Sequence, residues 1–529
     1  MIEEVKKFID EHVKKIKPLY KKYTLAYWKA TSYGKEEDYA EYEKISLEIE
    51  KIYNNKEEFK KLEKWNEQKI DDKLIKRQVK ILHNSYLSSQ GDINLIKKIV
   101  NLSTKIEKNF NTYRAEVDGK KITDNEIKNI LKTELDSEKL RKTWEANKKQ
   151  GELVSREVIE LVKLRNELAR STGFKNYYER NLELGEQKSE EILAIFKELE
   201  NLTDKPFLKL KEEMDAFLRK RYKTKKLGPW HYQDLFFQEG PEIYKFDLDK
   251  YYYSDVVEKA RIFYNSIGLQ VDDILEKSDL YEREGKYQHA YCMDIDKEGD
   301  VRIMQNVKND EKWMETSLHE LGHAVYSKYI DFKLPYILID AAHTFTTEAI
   351  AMLFGRQSKN INFMKKYADI KISEKEAAEI NEETEKMLRL RQLVFSRWAQ
   401  VMMYFEKNMY HNPEQDLNKL WWSLVKKFQL IDFSRDKPDW ASKIHLVSAP
   451  VYYHNYLLGE LLASQLHNYI CRNILKTKKD ADYSDRRIGE FLVKEVFNPG
   501  RKYEWEELIK RATQEPLTAR YFAEQFCEA

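Results

Sequence analysis

Apolar residues recur at three- and four-residue spacing through almost the whole chain, as in residues 190–202 (EEILAIFKELENL), and little interrupts them. Gly and Pro together supply only 26 of the 529 residues. That is about 5%, against the ~12% of ordinary proteins. A β-sandwich or barrel spends turn residues at every hairpin, so an all-β fold is excluded and a mainly α fold is expected. Breaks at residues 33–34, 173 and 227–230 are short, and neither a fixed-period repeat nor a low-complexity tract occurs. The pattern changes once. Residues 288–307 (QHAYCMDIDKEGDVRIMQNV) place two extended stretches around Asp296-Lys297-Glu298-Gly299-Asp300, which predicts a β-hairpin. Asp310 is a predicted N-cap, after which helical periodicity holds almost to the end. The lack of linkers predicts one unit over residues 1–529, with a helical part over 1–230 and the chemistry in 231–529.

Charge excludes more than it suggests. Lys and Arg (93) nearly balance Asp and Glu (91), for a net charge of +2, with both signs interspersed. A nucleic-acid partner calls for a basic excess or stripe, so none is expected. No apolar run approaches the ~18 residues needed to cross a bilayer, and the first residues lack the apolar region of a signal peptide. Cys292, Cys471 and Cys527 form no CxxC pair, which excludes a disulfide framework and a thiolate zinc site. A monomer in a reducing cytoplasm is the expectation.

The chemistry lies in the helix after the hairpin, at His319-Glu320-Leu321-Gly322-His323, an HExxH. On a helix, residues four apart share a face, so both imidazoles reach one ion while Glu320 projects beside them. With 11 His in the chain, this pattern arises by chance only about 0.04 times. Trp313, Met314, Leu318, Leu321 and Val325 mark the helix as buried, where unpaired histidines are costly. A zinc site needs a third protein ligand and an open position. The metzincin pattern fails, because Tyr326 and Tyr329 stand where it needs Gly and His. The next apolar helix, Thr344–Gly355, has one acid, Glu348, 25 residues past His323. Glu348 is the expected third ligand, with Asp340 and His343 near the start of that helix as rivals. Glu320 is then the general base that takes a proton from a zinc-bound water.

Four ordered segments give the chain a resemblance to the angiotensin-converting enzyme family of zinc dipeptidyl carboxypeptidases, related more distantly to thimet oligopeptidase and oligoendopeptidase F. They are His289-Ala290, 30 residues before His319; the HExxH with Thr344–Gly355; Trp421-Trp422-Ser423-Leu424; and Lys443-Ile444-His445 followed by Tyr453-His454-Asn455-Tyr456. The resemblance covers residues 233 to the end, and the first 230 residues match only in being helical. It implies two helical halves around a deep channel, with residues 1–230 as lid and one wall, one zinc per chain and short peptides as substrates. It further implies oxyanion donors at Tyr456 and His445, and a carbonyl-binding His289. Ala290 would take the peptide as an added strand, and Lys443, Tyr453 and Gln233 would bind a terminal carboxylate. The implied activity is release of C-terminal dipeptides; an oligoendopeptidase and a non-catalytic scaffold of the same fold are the alternatives. Three departures stand out. Between His445 and Tyr453 the chain carries one residue more than the family pattern, Asn455 replaces the Arg of chloride-activated members, and Met352 stands where a carboxylate would orient a zinc histidine.

Overall fold

The computed structural model describes residues 2–244, 246–477 and 482–527. Among them lie 21 α-helices and two two-stranded antiparallel sheets, so the mainly α fold is the one found. Helices begin where a short polar side chain can serve the first free amides: Asn55, Asp72 and Asp92 each accept two backbone N–H groups. Thr123 and Glu126 cap reciprocally. Two compact units result, each built from three stretches of sequence. The first takes its described residues from 1–90, 246–384 and 458–521, the second from 91–245, 385–457 and 522–529.

In the first unit, helices Ile2–Tyr33, Lys56–Glu67 and Lys73–Ser88 close on Val5, Ile9, Leu62, Trp65, Val79 and Tyr86. Its hairpin pairs Tyr291–Asp294 with Val301–Met304, Tyr291 opposite Met304 and Asp294 opposite Val301. The turn is built by carboxylates that accept nearby amides: Asp294 those of Asp296 and Lys297, Asp296 those of Glu298 and Asp300. Met304 also bridges Asp279, so the strand Tyr291–Asp294 is the edge among the described residues. Helix Glu311–Lys328 packs against the hairpin, and Asp310 caps it by accepting the Trp313 amide at 2.8 Å, as predicted.

In the second unit, the 35-residue helix Ser137–Ser171 is the backbone of the packing. A Cβ on Gly151 would lie 2.3 Å from the Pro438 carbonyl oxygen, so only glycine lets the 438–442 turn lie on the helix. Buried Arg165 donates to the carbonyls of Leu446 and Val447 at 3.0 and 2.7 Å, which fixes the short helix His445–Ser448. On helix Leu417–Gln429, Trp421 packs edge-on to Trp398 (5.9 Å) and Phe405 (5.1 Å).

Two segments differ from the expected run of helices. A hairpin, Ala115–Val117 with Lys120–Ile122, turns through Asp118 (φ 51°) and Gly119 (φ 79°). Between helices Ser189–Arg221 and Val256–Ser266 the described residues form only two 3-10 turns, longer than the break expected at 227–230. There Asp234 accepts the amides of Phe236 and Gln238, and Gln233 (φ 61°) and Phe237 (φ 51°) take left-handed conformations.

Candidate metal centre

Helices Glu311–Lys328 and Thr344–Gly355 cross at Gly322. A Cβ there would sit 2.8 Å from the Ala351 Cα, so the close approach requires glycine. The crossing gathers His319, His323 and Glu348, whose ligand atoms all lie within 4.8 Å of one another. Glu348 Oε2 is 3.7 Å from His319 Nε2 and 3.8 Å from His323 Nε2. Donors bound tetrahedrally to zinc stand about 3.4 Å apart, given bonds of ~2.0–2.1 Å. The three side chains therefore need only a small inward movement to hold an ion. Asp340 instead pairs with Lys297 at 3.2 Å, and His343 caps its helix by accepting the Phe345 amide at 3.1 Å. Neither rival joins the cluster. His323 Nδ1 lies 2.8 Å from Thr347 Oγ1, and Tyr264 donates its hydroxyl to the Leu318 carbonyl at 2.5 Å.

The electrostatics suit a bound cation. Glu320 is 7% exposed, and its Oε2 is buried with no hydrogen-bond partner. Burial, and then the Glu348 charge, push its carboxyl up to about 8. Burial, and then Glu460, push Glu348 up to about 7. His323 is driven well below the usual imidazole range by burial and then by His319. Both carboxyls thus resist ionisation, which a divalent cation beside them would reverse, while His323 is already held in the neutral form that can bind a metal. Two imidazole nitrogens and a carboxylate oxygen are a donor set that suits zinc. Close behind the cluster runs helix Tyr453–Tyr469, because a Cβ on Gly459 would already sit 3.3 Å from Glu348 Cβ. The next residue, Glu460, is ion-paired with Arg356. Met352 reaches the same glycine with its Sδ and brings no carboxylate.

The hairpin supplies the neighbouring edge. Strand Tyr291–Asp294 packs against the HExxH helix, and burial, and then Glu320, push the Cys292 thiol up. His289 is exposed, with its ring 5.3 Å from Tyr287. Ala290 stands immediately before the ladder, which begins at Tyr291.

The remaining expected residues belong to the second unit. The rings of His445 and Tyr453 are 5.3 Å apart, those of Tyr453 and Tyr456 5.4 Å, and Lys443 Nζ lies 5.4 Å from the Tyr453 ring. Burial, and then Lys443, push His445 down to about 4, so it is neutral, and its Nδ1 has no hydrogen-bond partner. Burial lowers Lys443 to about 8, against the attraction of Asp234 and Glu239; its amine donates to Gln238 at 2.6 Å. Tyr453 accepts the Trp398 indole N–H at 2.7 Å. Gln233 is not drawn into this group by any of these contacts: its amide oxygen accepts the Glu242 amide at 2.8 Å and its nitrogen reaches Tyr222 at 3.5 Å. Asn455 accepts the Gln187 amide at 2.7 Å. Thr347, Gln238 and Trp398 were not singled out by sequence, since only folding brings them to their partners.

The family model described as angiotensin-converting enzyme matches residues 2–229 and 243–526. Its match includes the N-terminal region, for which the sequence motifs offered only helical character. No curated protein matches the chain.

Proposed function

The chain belongs to the angiotensin-converting enzyme family of zinc metallopeptidases, and from that premise we propose that it releases dipeptides from the C-termini of short peptides. The observation that carries the proposal is the three-ligand cluster beside a buried carboxylate oxygen that no protein group satisfies. His319, His323 and Glu348 would hold one zinc per chain. When bound, zinc supplies Lewis acidity towards the scissile carbonyl and acidifies the attacking water towards pH ~7. Glu320 takes a proton from that water and can pass it to the departing amine. Tyr456 and His445 donate to the oxyanion of the tetrahedral intermediate; a neutral His445 keeps an N–H for this at physiological pH. His289 donates to a substrate carbonyl, and the backbone at Ala290 extends the free edge of Tyr291–Asp294 to the peptide. Lys443 and Tyr453 bind the terminal carboxylate. In this reading residues 1–529 act as one peptidase domain, a monomer in a reducing cytoplasm; the three free cysteines are consistent with that compartment. Among the described residues no helix is long and apolar enough to cross a membrane.

One observation favours a second reading. The Gln233 amide is engaged within its own loop, which leaves the proposed carboxylate clamp with two members and suits an oligoendopeptidase that cuts internal bonds. Digesting a free-acid peptide and its C-terminally amidated twin, with products read by mass spectrometry, separates the two. Dipeptide release from the free acid alone supports C-terminal trimming. Equal internal cleavage of both peptides would replace it with the second reading.

A further inference from the structure

A neutral imidazole carries one proton, and the nitrogen that binds a metal must be the bare one. For His323 the metal-facing nitrogen is Nε2, 3.8 Å from Glu348 Oε2, so the proton belongs on Nδ1. The group at hydrogen-bond distance from Nδ1 is the hydroxyl of Thr347, at 2.8 Å. A threonine inside a helix commonly donates back to a carbonyl of its own preceding turn. Thr346 does so, donating to the His343 carbonyl at 2.7 Å, whereas Thr347 directs its oxygen across to the other helix. Thr347 directly precedes the ligand Glu348, so one dipeptide step delivers both a ligand and a hydrogen-bond partner for a second ligand. No carboxylate stands at Met352, four residues after Glu348, and the group found at His323 Nδ1 is the Thr347 hydroxyl.

We propose that Thr347 is a positioning residue of the metal centre: its hydroxyl accepts the Nδ1–H of His323 and fixes the tautomer and ring rotation that aim Nε2 at the ion. This rests on the zinc reading above. Because a hydroxyl is uncharged, it orients the imidazole without adding negative charge to the site. Partners of this kind typically hold 10–100-fold of metal affinity.

The test uses the full chain as wild type, Thr347→Val and Thr347→Ser. Each metal-free protein is titrated with zinc against a chromophoric chelator, and its thermal unfolding is recorded without metal. Thr347→Val keeps the shape and removes the acceptor, so zinc affinity should fall about 10–100-fold while metal-free unfolding stays close to wild type. Thr347→Ser restores the oxygen and should bind zinc within a few-fold of wild type. Wild-type affinity in Thr347→Val, or a Thr347→Ser variant as weak as Thr347→Val, would overturn the inference. A wild-type chain that takes up no zinc would overturn the zinc reading itself, and the inference with it.

Discussion

Gly322→Ala tests whether the helix crossing builds the metal site. The added Cβ would meet the Ala351 Cα at 2.8 Å and its amide nitrogen at 3.2 Å. Carbon atoms rest at about 3.5 Å or more, so the two helices must part by roughly 0.7 Å. Backbone cannot swing aside as a side chain can, and trimming Ala351 to glycine would not relieve a contact made by its Cα. Alanine returns up to ~1 kcal/mol of helix propensity, while overpacking costs ~1–3 kcal/mol, so the metal-free variant should lose up to about 2 kcal/mol. The larger effect falls on the ligands. His323 and Glu348 come from opposite helices and already stand 3.8 Å apart, wider than zinc prefers. A site that needs ~0.5 Å precision should lose at least about tenfold in zinc affinity. Gly355→Ala is the control on the same helix pair: its Cβ would meet Glu315 O at 3.5 Å and His319 Cβ at 3.6 Å, ordinary contacts. That variant should be neutral or stabilised by up to ~1 kcal/mol and bind zinc normally. Denaturant unfolding of metal-free protein and chelator competition measure both quantities. Wild-type zinc affinity in Gly322→Ala, or a greater loss in Gly355→Ala, would refute the reasoning.

Glu348→Gln should lose zinc on dialysis while Asp340→Asn and His343→Ala retain it; metal analysis reads the result, and the reverse order would change the third ligand. Tyr456→Phe should lower kcat about 10²–10³-fold with KM nearly unchanged, as for one lost oxyanion donor. Tyr453→Phe should raise KM for free-acid peptides and also lower stability by ~1–3 kcal/mol, because it leaves the buried Trp398 N–H without its acceptor. Steady-state kinetics and thermal unfolding separate these two tyrosines, and exchanged phenotypes would exchange their roles. Lys443 loses its charge near pH 8 when folded but near ~10.4 when unfolded. The unfolded chain therefore binds more protons between those values, and this residue's contribution to stability rises with pH across that window. Affinity for a terminal carboxylate runs the other way, so KM for free-acid peptides should climb as pH passes about 8. A flat KM profile, or equal climbs for amidated peptides, would remove Lys443 from the clamp.

What could be read in advance follows the range of the interactions. Asp310 capping its helix, the i and i+4 histidines and the carboxylate-built turn after Asp294 are local, and the sequence carried each of them. Glu348 was reachable because a single acid stood on an apolar helix. Asp340 is instead engaged by a tertiary contact to Lys297 and His343 by its own helix start. The hairpin turn at Asp118-Gly119 had a local signal, yet three-residue strands leave no periodicity to notice. The irregular stretch before Val256 hides its turns in Asp234 and in left-handed Gln233 and Phe237, without the Gly and Pro that usually announce them. Thr347 was beyond reach for another reason: its partner is set by a helix crossing that depends on Gly322.

The central claim is that a zinc held by His319, His323 and Glu348 works with Glu320 as general base. Its most direct test is hydrolysis of a short peptide by Glu320→Ala whose zinc content has been measured in the same sample. One zinc per chain with turnover reduced by about 10²–10⁴-fold or more is the expected result. Full zinc occupancy with near wild-type hydrolysis would contradict it.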